Sequence, residues 1–254
     1  MCGAVAVFAS PIFGGQAAFG VTSFLASVDT TLSGTLFGSL GPFGFTATGS
    51  GIDDLTAAGD LYPMFSLRWN QGTNNFMTYV TGDMPVGTYS PTSLSNVGIG
   101  HYAIDAGAGY TYFNSQTGHE LSAVAGFNYN FINPYTAYQN GVDFHLDWGV
   151  SQFLSDQVQV CLVGYLYDQV TGDSGAGDRV GPFQSRVVGI GPQIGYIFPV
   201  FERYQGYLNL KGYGKFDAAH RPSGWNAWLT FVISNPPPGR APPPSAQPRS
   251  MITK

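Results

Sequence analysis

The residues best suited to chemistry fall at every second position of one short segment. Asp143, His145 and Asp147 alternate with Phe144, Leu146 and Trp148, so in an extended strand the three titratable groups share one face. Two carboxylates beside an imidazole could hold a metal. Same-face neighbours on a strand stand about 6.6 Å apart, so three of them cannot close on one small ion. Further ligands would have to come from elsewhere, with Glu120 and Asp105 as candidates. In a dry core such groups would need partners, whereas a watery interior accepts them. A polar interior is therefore the preferred reading, and neither a metal nor a cofactor is expected.

Other short motifs give way in the same manner. Gly172-Asp173-Ser174-Gly175 looks like the nucleophile segment of chymotrypsin-like proteases, and Ala218-Ala219-His220 like their histidine segment. The order is reversed, Ala176 follows the motif, and the two cysteines, Cys2 and Cys161, make no disulfide framework. A triad is recognised by geometry and role, and nothing here supplies either. The loop from Asp173 to Asp178 lacks the alternating oxygen ligands of a calcium-binding loop. Gly189-Ile190-Gly191 with Gly195 has the wrong spacing for a dinucleotide site. No enzyme activity is expected.

The elements that would position the polar residues are strands of period two. Leu121, Ala123, Ala125, Phe127, Tyr129 and Phe131 alternate with Glu120, Ser122, Val124, Gly126, Asn128 and Asn130. The same alternation, with less contrast, covers residues 61–70, 104–112, 188–198, 205–213 and 225–233. Residues 74–83 and 158–167 are ambiguous in phase. Short turns (70–72, 114–117, 155–156, 199–203) alternate with long loops (84–102, 133–140, 171–185, 216–222). A sheet with one apolar and one polar face and loop lengths sorted by end predicts an antiparallel transmembrane β-barrel of outer-membrane type. Tyr, Trp and Phe collect near strand ends (Trp69, Tyr110, Phe131, Phe198, Trp225), where interfacial girdles belong.

Composition agrees. Charged residues make up 10% of the 254, with 15% aromatics and 35 glycines, and mean hydropathy is +0.02. That is too evenly mixed for helical spans, which need about 20 consecutive apolar residues, and too aromatic for disorder. The net charge of −5 offers no basic surface, so no nucleic-acid partner is expected.

From residue 61 onward the pattern gives about nine strands, and weaker candidates near residues 3–9, 15–26, 29–38 and 42–49 bring the barrel to about 12–14. Residues 1–234 are read as the barrel and residues 235–254, with two Pro-Pro-Pro runs, as a disordered tail. The first cation is Arg68, so no signal peptide is visible. With short turns facing the periplasm, the segment near residues 3–9 descends, and Met1 begins on the outer side. The expectation is that the true N-terminus, with its signal peptide and at least one strand, is missing.

Several longer stretches resemble the MetA-pathway phenol degradation family of outer-membrane proteins. They include Ser66-Leu67-Arg68-Trp69-Asn70-Gln71-Gly72, Asn75 to Asp83, Thr117-Gly118-His119-Glu120, Gln139 to Asp143, and Gly206 to Tyr213. The resemblance spans roughly residues 15–233. It implies a bacterial outer-membrane location and an uptake channel for aromatic or other hydrophobic compounds, without catalytic residues to carry over. The expected partners are such a solute and outer-membrane lipid; oligomeric state stays open. The expected pathway residues are Arg68, Asp105, Glu120, Asp143, His145, Asp147, Tyr207, Lys211 and Tyr213. The alternatives are a plugged or structural barrel, an outer-membrane lipase and a soluble all-β binding protein.

Overall fold

A computed structural model describes residues 2–40, 43–179, 181–201 and 204–235. The proline-rich tail call lies outside these residues, apart from Asn235. The described residues are all strand, turn and loop. β1 (Cys2–Val7), β2 (Gln16–Ser23), β3 (Leu25–Leu40) and β4 (Phe43–Ala58) come first. Then follow β5 (Tyr62–Gln71), β6 (Asn74–Asp83), β7 (Ala103–Asn114), β8 (His119–Asn130) and β9 (Asp143–Phe153). Last among the described strands are β10 (Val158–Gln169), β11 (Arg186–Val200), β12 (Tyr204–Ala219) and β13 (Gly224–Ser234).

Eleven strands make one antiparallel sheet in the order β1-β2-β5-β6-β7-β8-β9-β10-β11-β12-β13. The apolar and polar sets of the sequence map onto its two faces. Phe65, Val80, Ile104, Phe127, Val150, Leu162, Ile194 and Leu210 are all exposed, whereas Ser66, Asn130, Asp143, Ser151, Gln159 and Asn209 are buried. A water-soluble protein sorts these classes the other way. An exposed apolar band around a polar interior is the arrangement of a barrel solvated by lipid.

One sequence expectation changes in the structure. The described residues hold thirteen strands, but β3 and β4 leave the barrel sheet and form a hairpin of their own. Its arms pair without interruption from Leu25↔Ala58 to Leu40↔Phe43, a reach of about 50 Å at some 3.4 Å per residue. The reason is readable in Asp53-Asp54: neighbours in a strand face opposite ways, so either face carries a carboxylate and neither suits lipid. β2 instead pairs directly with β5, from Gln16↔Arg68 to Thr22↔Tyr62. The hairpin therefore springs from the end of the sheet that bears the long loops. Its root is tied down by Ser95 of the β6–β7 loop, whose backbone N–H donates to Asp53 Oδ2 at 2.9 Å.

Pro192 interrupts one ladder of the sheet. It sits in mid-β11, and the β11–β12 ladder pauses between Ile190↔Gly214 and Gln193↔Lys211 before resuming in the same register. Proline has no N–H to give, so the gap follows from its chemistry; the irregularity in this pair lies instead between Arg186 and Val188. The β1–β2 turn carries positive φ at Phe13 (48°) and Gly14 (73°), the two-residue hairpin geometry whose twist suits adjoining strands. β1 and β13 are the two edges of the sheet and run in the same direction, so antiparallel closure between them requires one more strand.

The face assignment is testable with one pair of substitutions. Leu162→Arg on the outer face should destabilise the barrel by about 2–4 kcal/mol in lipid. Gln159→Arg, three residues away on the inner face, should cost less. Equilibrium refolding into vesicles, followed by urea titration, reads both values.

Candidate functional site

The inner face gathers its polar groups into networks that cross the strands. At one level Tyr79, Gly107, Gly126, His145 and Tyr167 lie side by side on β6 to β10. The two glycines explain how Tyr79 reaches past β7 and β8. A side chain at Gly107 would meet the Tyr79 hydroxyl at 2.7 Å, and one at Gly126 would meet His145 Nε2 at 2.7 Å. With that space open, the Tyr79 hydroxyl comes to 3.1 Å from His145 Nε2. The same nitrogen is 2.8 Å from Asp105 Oδ2, and Nδ1 is 3.7 Å from Asp147 Oδ2. Asp105 Oδ1 is buried and has no partner among the described residues.

Asp143 belongs to a separate cluster nearer the long loops. Tyr167 donates to its Oδ1 at 2.5 Å, and Asn130 and Asn128 donate to Oδ2 at 2.9 and 3.3 Å. The alternating Asp-His-Asp segment thus shares a face but splits between two networks: Asp143 bonds sideways to Asn130 and Tyr167, whereas Asp147 pairs with His145 on its own strand.

Toward the short turns a third chain runs from β8 to β12. Ser122 donates to Glu120 Oε1 at 2.8 Å and Gln159 to Glu120 Oε2 at 3.2 Å. Tyr207 donates to Gln159 Oε1 at 3.3 Å, and Asn209 donates to the Tyr207 oxygen at 2.9 Å. Lys211 Nζ lies 5.5 Å from the Tyr213 ring centre, a cation–π distance. Glu120, Asp147, Tyr207, Lys211 and Tyr213 all line one cavity of about 470 Å³. Arg68 stands apart, in a cavity of about 770 Å³ near the β1–β2 turn with Gln16, Trp69 and Met77.

The sequence reading missed several inner-face residues. Tyr79 on β6, and Gln159, Tyr165 and Tyr167 on β10, fall in the two segments whose phase was ambiguous. In β10 the inner set includes Val163 and the outer set includes Gly164 and Asp168, so polarity does not sort the faces. Cys161 is half-buried on the inner face, where Gln193 Nε2 donates to its sulfur at 3.2 Å. Lys215 on β12 and Arg221 beyond it were also missed, although Lys215 continues the alternation of Lys211 and Tyr213.

Above the networks the long loops are bonded to one another. Gln139 and Ser174 form a bridge between the β8–β9 and β10–β11 loops. Tyr138 donates to Asp173, which also accepts from Gln169 Nε2 at 2.6 Å and from the backbone of Gly141 at 3.1 Å. Burial and the Asp173 carboxylate push the Tyr138 phenol above its ordinary range. Between β4 and β5, fully buried Asp60 accepts the backbone N–H groups of Gly87 and Ile99 in the β6–β7 loop at 2.7 and 2.8 Å.

An antiparallel sheet with lipid-facing apolar residues outside, polar networks within and loops sorted by length defines an outer-membrane type transmembrane β-barrel. A family model described as "Putative MetA-pathway of phenol degradation" matches residues 3–231, and the chain belongs to that family. The fold is similar to the crystal structure of the COG4313 outer membrane channel from Pseudomonas putida F1. The two share 13% identity and a TM-score of 0.59 over 86% of this chain and 83% of that one. No curated protein matches the chain.

The Tyr79–His145 contact should depend on the glycine beneath it. Tyr79→Phe should cost about 0.5–1.5 kcal/mol. Gly126→Val should cost more, and adding Tyr79→Phe to it should cost almost nothing further, because one contact cannot be lost twice. Urea unfolding from vesicles of the two single variants and the double variant checks the coupling.

Proposed function

We propose that the protein is a bacterial outer-membrane channel through which small hydrophobic or aromatic compounds diffuse passively, serving the breakdown of phenols or related aromatics. The observation that carries this reading is the inner face itself, where cavities of about 770 and 470 Å³ take in Arg68, Glu120, Asp147, Tyr207, Lys211 and Tyr213 of the residues the alternation directs inward. Volumes of that size suit small-molecule sites, which run from roughly 300 to 1,000 Å³. The family name, and the channel described in Pseudomonas putida, support the same reading. In this view Arg68, Asp105, Glu120, Asp143, His145, Asp147, Tyr207, Lys211 and Tyr213 line the route. Weak contacts at several levels would let a solute enter and also leave.

A second reading has its own support. The bonds joining residues 137–141 to residues 173–177 tie two long loops together, and such a lid favours a barrel occluded at that end. Heat-modifiability of the protein in isolated outer membranes tests the barrel and its location, since a folded barrel shifts in gel mobility on boiling. Planar-bilayer recording then separates an open from an occluded barrel.

Charge substitutions should move ion selectivity in opposite directions. Asp143→Asn with Asp147→Asn should lower preference for cations, and Lys211→Gln should raise it. Reversal potentials under a salt gradient measure both; unchanged values would remove these groups from the route.

A further inference from the structure

Opposite charges face one another across a small cavity without touching. The cavity, of about 300 Å³, is lined by His145 and Asp147 from β9, Tyr165 and Tyr167 from β10, Lys215 from β12, and Arg221 just beyond β12. Among the described residues, ion pairs join His145 to Asp105 and Asp147, and Arg186 to Asp217. Lys215 and Arg221 take part in none of them. Two cations and an acid therefore share one space with no ion pair between them.

The aromatic rings give that space its shape. The Arg221 guanidinium lies 3.7 Å from the centre of the Tyr167 ring, close enough to stack. Tyr165 is fixed edge-on against Tyr213, with ring centres 5.0 Å apart. Among the described residues and within hydrogen-bond range, Arg221 uses only Nε, which donates to Ser185 Oγ at 3.4 Å. Its two terminal nitrogens keep their donors, in the planar fork that matches a carboxylate. On the other side, the Asp147 side chain is 63% exposed and has lone pairs to accept a hydroxyl proton. His145 is held in place by Asp105 and Tyr79 and is a fixed wall.

We infer that this cavity is a binding subsite for a monocyclic aromatic carboxylate that carries a ring hydroxyl. The carboxylate meets Arg221 and Lys215, the ring lies against Tyr165 and Tyr167, and the hydroxyl donates to Asp147. The inference rests on the channel reading and narrows its solute class, because an uncharged hydrocarbon would leave both cations unused. The subsite lies at the long-loop end, where a solute arriving from outside would meet it first.

The test uses the full chain in detergent micelles, with calorimetric titration of 4-hydroxybenzoate, benzoate and phenol, and the same protein in planar bilayers. Affinity should fall in that order, with Arg221→Gln weakening 4-hydroxybenzoate about tenfold or more, as for loss of a charge-assisted bond. Asp147→Asn should remove the advantage of 4-hydroxybenzoate over benzoate, read as the ratio of the two affinities. Phenol binding as tightly as 4-hydroxybenzoate, or an Arg221→Gln variant that binds normally, would overturn the subsite. So would the absence of binding. Heat-modifiability confirms that each variant is folded. Binding without conductance keeps the subsite and removes the channel; conductance without binding does the reverse.

Discussion

Everything in this molecule depends on one requirement: in lipid, each backbone N–H and C=O must find its partner inside the protein. Strands meet that requirement only through their neighbours, which is why the eleven-stranded sheet pairs consecutive strands, apart from β2 and β5. Once the ladder is satisfied, side chains are free to sort by solvent. Apolar groups such as Phe127 and Leu162 face outward, and amides, carboxylates and phenols turn inward. The polar interior is therefore available for binding, because stability does not require it to be a hydrophobic core. Its networks do structural work as well, since groups such as Asp143 and Gln159 are buried and each is bonded to another strand.

How far the sequence could be read follows from contrast between faces. In β8 and β9 the two faces differ so sharply that alternation alone assigns Glu120, Asp143, His145 and Asp147 to one side. In β6 and β10 small or charged residues stand outside and Val163 or Met77 stands inside, so alternation carries no direction. The phase there is set by register against β7 and β9, which is long-range information. The hairpin of β3 and β4 shows the same limit: its strands are visible locally, but that β2 pairs with β5 is a choice between distant partners.

The assembly of the candidate site was legible only in part. That Asp105, His145 and Asp147 converge could be suspected from shared faces. The role of Gly107 and Gly126 could not, because a glycine in a strand has many uses and only the Tyr79 side chain reveals this one. Arg68 was drawn into the site by its charge, yet the structure sets it in a different cavity. Arg221 lies past the end of a strand, where periodicity stops, and its meaning comes from the ring of Tyr167 beneath it.

The detached hairpin has an evolutionary consequence. Because β2 meets β5 directly, β3 and β4 can lengthen, shorten or change sequence in matched steps without altering the register or strand parity of the wall. The hairpin and the wall are thus two separately paired units, and change in one leaves the ladder of the other intact.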